Sequence, residues 1–128
     1  MNLNQITIPS HDVKRAVSFY ERLGLRLIVD SAPRYVRFEC PDGDSTFSIH
    51  HVEEEIFPGV MIYFECEDLD GEFDRLRKLG IEFDCSPTDQ NWKWREAHLS
   101  DPDGNRLILF RAGVNRKNPP WRVNPIEG

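Results

Sequence analysis

The sequence predicts an α+β fold built from two βαβββ modules. Three observations carry that prediction. A segment running from Asp12-Val13 to Leu23-Gly24-Leu25 returns 56 residues later as Asp68-Leu69 to Leu79-Gly80-Ile81. Strand-like runs flank both copies in the same order. A Pro-Asp-Gly turn then divides the last two strands of each half, as Pro41-Asp42-Gly43 and as Asp101-Pro102-Asp103-Gly104-Asn105.

The first module opens on an expected strand over 3–8. A helix follows, with Val13, Val17, Tyr20 and Leu23 spaced to share one face. Asp12 suits the N-cap and Gly24 the C-terminal stop. Three expected strands follow, over 25–29, 35–40 and 46–52. In the second module a strand over 60–66 precedes a helix on Leu69, Phe73, Leu76 and Leu79, opened by Asp68 and stopped by Gly80. Its strands are expected over 81–83, 94–99 and 106–110. Asp-Gly and Gly-Asn mark the hairpins, because Gly and Asn tolerate positive φ. The second helix places acids at its start and bases at its end, as the helix dipole favours; the first breaks that rule with Lys14 and Arg15 in its opening turn.

At 128 residues the chain has the length of one domain. We read residues 1–111 as that domain, with modules over 3–52 and 60–111 and a docking tail over 112–128. Sixteen Lys and Arg against 22 Asp and Glu leave a net charge of −6. That balance argues against nucleic-acid binding, which relies on basic residues neutralising phosphates, and against an anionic membrane surface. No apolar run approaches a membrane span. The opening residues lack the basic and apolar regions of a secretory leader. Cys40, Cys66 and Cys85 are odd in number and widely spaced, so they read as reduced thiols in a cytoplasmic protein, with Cys66 in the core.

A doubled βαβββ module with Ser18-Phe19-Tyr20, Phe64-Glu65-Cys66-Glu67-Asp68 and the Asp-Pro-Asp-Gly-Asn turn resembles the vicinal oxygen chelate superfamily. That group holds glyoxalase I, bleomycin-resistance proteins and extradiol dioxygenases. The resemblance implies curled mixed sheets, a cup-shaped small-molecule site and a homodimer. It also implies a divalent metal held by one ligand on the first strand and one on the last strand of each module. Carried over residue by residue, the four places fall on Gln5, Ser48, Met61 and Ile108. Of these, Gln5 alone is a usual ligand. Ile108 has no donor atom, and the Met61 thioether suits a soft ion, so the usual four-ligand site is expected to be missing.

Other residues offer chemistry of their own. His50 shares the face of Ser48 by strand alternation, and the adjacent His51 takes the opposite face. Trp94, Glu96 and His98 share one face of their strand, either as an acid–base and stacking set or as a polar surface partly covered by Trp94. Trp92 suits stacking on a planar ligand and Arg95 suits a carboxylate. The second half exceeds the first by five residues between its Gly markers, and the excess is expected near the Trp-rich loop at 91–96. In the tail, Pro119-Pro120 stiffens the chain before Trp121, which suits docking across a cup mouth or along a dimer seam. The ligand face is expected to include Tyr63 beside Met61.

The function expected is a small-molecule-binding or small-molecule-converting protein of this kind, without a cofactor. Two alternatives remain. One is a metal-dependent lyase or dioxygenase with a displaced site built from Gln5, His50 and either Glu96 or His98. The other is a protein that sequesters a drug.

Overall fold

The computed structural model describes residues 1–123. Its elements run β1 (Gln5–Ser10), α1 (Val13–Leu23), β2 (Arg26–Ser31), β3 (Tyr35–Glu39), β4 (Thr46–His51), β5 (Met61–Glu65), α2 (Leu69–Lys78), β6 (Cys85–Asp89), β7 (Arg95–Ser100) and β8 (Arg106–Arg111), followed by a 3₁₀ turn at Gly113–Asn115. The order is βαβββ twice. The chain divides into two compact units, Met1–Val60 with Ser100–Asn105, and Met61–Leu99 with the described residues beyond Asn105. No helix among the described residues is long and apolar enough to cross a membrane.

The first unit is an open four-stranded mixed sheet, ordered β1-β4-β3-β2, with β1 parallel to β4. Its core lies between one sheet face and α1. Tyr20 is fully buried there, with its ring 4.8 Å from Phe47 and 5.1 Å from Phe19. The helix starts where the Asp12 carboxylate accepts the Arg15 N–H, and it ends at Gly24, whose φ of 107° is a left-handed conformation that favours glycine. The buried stripe is Val13, Ala16, Phe19 and Tyr20; Val17 and Leu23 stand at its margin.

The Asp-Pro-Asp-Gly-Asn turn belongs to this first unit. Asp101 is buried and accepts hydrogen bonds from the Tyr20 hydroxyl at 2.7 Å and from the Asp103 N–H, the Asn105 N–H and Asn105 Nδ2, each at 2.9 Å. Asp103 accepts from the Ser10 hydroxyl at 2.6 Å, the His11 N–H at 2.9 Å and the Arg15 guanidinium at 3.1 Å. These contacts explain why α1 carries a base in its first turn. The Asp103 side chain has no solvent exposure, and its ion pair with Arg15 acts against the unfavourable dipole term of about 0.3–1 kcal/mol.

The second unit repeats the pattern, ordered β5-β8-β7-β6 with β5 parallel to β8. Leu69, Phe73 and Leu76 of α2 are buried, and Asp68 caps the helix through the Gly71 N–H. Leu79, expected on the buried stripe, is half exposed. Two further expectations change here. The run 81–83 is not a strand: β6 begins at Cys85, five residues after Gly80, whereas β2 begins two residues after Gly24. Most of the extra length of this half therefore precedes β6 and does not lie in the Trp-rich loop. It lines an open cleft of about 640 Å³ with Phe73, Arg77 and Cys85. Cys66 is only half buried, one residue beyond the end of β5.

The tail leaves β8 over Glu65. One Glu65 carboxylate oxygen accepts the Ala112 and Gly113 N–H groups at 2.7 and 2.9 Å, with Arg111 and Arg116 nearby. Burial acts to raise the Glu65 pKa, but these donors and charges outweigh it and hold the carboxyl below its ordinary value. The unfolded chain therefore takes up this proton first. The stabilisation is present above the ordinary Glu pKa of about 4.3 and is lost as pH falls through the folded value. Glu65→Gln is expected to melt lower than the wild type at pH 7, with the gap closing toward pH 3 in thermal melts. Trp121 is 56% exposed in the described chain, and residues 124–128 of the expected docking tail lie outside the described residues.

Candidate functional site

On the sheet face of the second unit that turns away from α2, β5 carries Met61, Tyr63 and Glu65 and β8 carries Arg106, Ile108 and Phe110, with Tyr63 opposite Ile108 in register. Trp94 stacks on Phe110, ring centroids 4.7 Å apart and 22° from parallel. Tyr63 meets both rings edge-on, at 5.9 Å from Trp94 and 5.5 Å from Phe110. This wall is pinned from behind by the Trp94 indole N–H, which donates to the Asn115 carbonyl at 3.2 Å.

Glu96 is 3% exposed beside that wall. Its carboxylate accepts the Trp92 indole N–H at 2.9 Å, and its other oxygen lies 2.8 Å from His98 Nε2. The β6–β7 turn brings Trp92 to this position. Lys93 takes φ 69°, a left-handed conformation unusual for a side chain with a Cβ, and the Gln90 N–H closes on the Trp94 carbonyl at 2.7 Å. Burial and the nearby Glu96 charge raise the Tyr63 pKa, so its hydroxyl is kept protonated. The assembled group is a stacked aromatic wall with a shielded carboxylate and a histidine that is part-exposed.

The face of the first unit that turns away from α1 carries Gln5, Thr7 and Pro9 on β1, opposite Thr46, Ser48 and His50 on β4. Beyond them β3 presents Tyr35 opposite His50 and Arg37 opposite Ser48. Ser48 is fully buried, and its hydroxyl lies 2.7 Å from that of Tyr35. The Gln5 side-chain oxygen accepts the Thr46 hydroxyl at 2.9 Å. His50 is exposed, whereas His51 faces the other way and pairs with Glu53 at 3.5 Å.

The four positions at which the resemblance places a metal do not fit one. Ile108 is buried and has no donor, the Met61 thioether is half exposed, the Ser48 hydroxyl is taken up by Tyr35 and the Gln5 oxygen by Thr46. Among the described residues, no three His, Cys, Asp or Glu side chains form a group that could hold a metal ion.

The structure brings Glu96, His98, Trp92, Trp94 and Tyr63 together. Arg95 does not join them. Strand alternation turns it to the opposite face, where it pairs with Asp70 and Asp89 at 3.0 Å each. Sequence reasoning missed Phe110, on which Trp94 rests, and missed Tyr35 and Arg37. Alternation placed Tyr35 and Arg37 on one face of β3, but only the register with β4 puts them against Ser48 and His50.

Comparison with known proteins agrees with this architecture. The chain is 27% identical to YraH, an uncharacterized protein of Bacillus subtilis (strain 168), over 87% of this chain and 98% of that one. A glyoxalase/bleomycin resistance protein/dioxygenase from Nocardioides superposes with a TM-score of 0.78 at 23% identity, covering 97% of this chain and 90% of that chain. A member of the same superfamily from Sphaerobacter thermophilus DSM 20745 gives a TM-score of 0.72 at 26% identity, covering 87% and 97%. A family profile matches residues 2–109, and with the doubled βαβββ order it shows that the chain belongs to the Glyoxalase/Bleomycin resistance protein/Dioxygenase superfamily.

Proposed function

We propose that this protein binds a small planar metabolite against Trp94 and Tyr63, with Glu96 and His98 holding its polar edge, and that it works without the usual four-ligand metal centre of its superfamily. One observation carries the reading. A carboxylate 3% exposed, satisfied by Trp92 and His98, stands beside an aromatic stack on the sheet face opposite α2. Stacking supplies affinity for a flat ligand, and a carboxylate shielded from water gives a directional acceptor. The pair also suits proton transfer. Glu96 orients the imidazole through Nε2, and Nδ1 is left to take a proton from a bound molecule or return it. The reading includes a homodimer in the cytoplasm. Its support is the exposed Phe57, Val60 and Trp121, and a set of three cysteines, odd in number and widely spaced in the chain, that suits a reducing compartment.

Tryptophan fluorescence against a panel of planar metabolites tests the site. The expected result is quenching by at least one compound, with Trp94→Leu weakening its binding by about tenfold or more. Equal affinity in wild type and variant would overturn the placement of the ligand. Near-stoichiometric zinc, iron, nickel or manganese in dialysed protein would overturn the metal-free part of the reading.

A further inference from the structure

The face of the first sheet that turns away from α1 has an unusual charge for this chain. The protein carries a net charge of −6. Yet this face presents Arg37 and His50, and its one strand acid, Glu39, is paired with Arg26 at 3.7 Å. Among the described residues no carboxylate lies within ion-pair distance of Arg37, although it is half buried. Its Nε–H donates to the Tyr35 hydroxyl oxygen at 3.0 Å, and its guanidinium lies 5.6 Å from the Tyr35 ring centroid. The Tyr35 hydroxyl is itself held at 2.7 Å by the fully buried Ser48. The guanidinium is therefore fixed through one nitrogen, and both Nη groups remain available.

We propose that Arg37, Tyr35 and Ser48 form a subsite for the carboxylate of a small organic acid. A guanidinium is planar and carries paired donors matching the two oxygens of a carboxylate. A fork already oriented by a neighbour loses less freedom on binding than a free side chain does. The Ser48 hydrogen bond, with help from Arg37, outweighs burial and holds the Tyr35 pKa below its ordinary value. This subsite does not depend on the aromatic wall, and its readout falls on different residues.

The test is NMR of the full ¹⁵N-labelled chain, titrated with sodium benzoate or with neutral benzamide at constant ionic strength. Benzoate is expected to give saturable shifts at the Tyr35, Arg37 and Ser48 amides and at the Arg37 Nε–H. Benzamide is expected to bind about tenfold more weakly or not at all. Arg37→Gln is expected to reduce benzoate to the level of benzamide, and Arg37→Lys, which keeps the charge and loses the fork, to fall between. Two results would each overturn the subsite: benzoate binding no tighter than benzamide, or Arg37→Gln retaining benzoate affinity within about twofold. If Arg37→Gln folds poorly, the benzoate–benzamide comparison on the wild type decides alone.

Discussion

Asp101→Ala is expected to destabilise the protein by about 3–4 kcal/mol, lowering the melting temperature by roughly 10 °C or more. The carboxylate accepts hydrogen bonds from four donors on three residues, and it is buried. Alanine leaves the Tyr20 hydroxyl without its partner at the edge of an aromatic core. It also frees the turn whose next acid, Asp103, is held by Ser10, His11 and Arg15. Tyr20→Phe removes only one of these bonds, at about 1–2 kcal/mol. The two changes share that bond, so the double variant is expected to fall short of the sum by about 1 kcal/mol in a denaturant-melt cycle. Strict additivity would show that Tyr20 and Asp101 are not coupled.

The same contact predicts a response to alkali. Burial, reinforced by the Asp101 carboxylate, pushes the Tyr20 pKa well above its ordinary value of about 10. The folded state keeps a proton that the unfolded chain releases. The stabilisation is complete below about pH 10 and declines as pH rises beyond it. Wild type is therefore expected to lose stability above that pH more steeply than Tyr20→Phe does.

The second large effect is expected at Glu96. Glu96→Ala strands the Trp92 indole N–H and the imidazole of His98, at a cost of about 1–3 kcal/mol in stability. It is also expected to weaken any ligand found in the fluorescence screen by about tenfold or more. Glu96→Gln separates the two effects. Its amide oxygen can still accept from Trp92, so most of the stability returns. The charge that faces the ligand and His98 is gone, so the binding defect remains. Recovery of binding in Glu96→Gln would reduce Glu96 to a packing residue. Measuring affinity and melting temperature on the same samples distinguishes these outcomes.

Much of this arrangement is legible in the chain because it is local. Asp12 and Asp68 cap their helices as their spacing indicates, and Gly24 takes the left-handed conformation that ends α1. Strand alternation is enough to put Trp94, Glu96 and His98 on one side, since successive side chains point to opposite faces. The repeat of 56 residues and the paired Pro-Asp-Gly turns are enough to identify two βαβββ modules and the superfamily.

Tertiary structure decided what those faces meet. Arg95 and Glu96 are adjacent in the chain, but one reaches Asp70 and Asp89 and the other the Trp92–His98 pair. Arg15 looks misplaced against the helix dipole until Asp103, 88 residues away, is folded against it. Tyr35 and Arg37 acquire their meaning from the register that sets β3 against Ser48 and His50. Periodicity records the direction in which a side chain leaves its own strand or helix. Register and pairing depend on segments distant in the chain, and no local pattern specifies those partners.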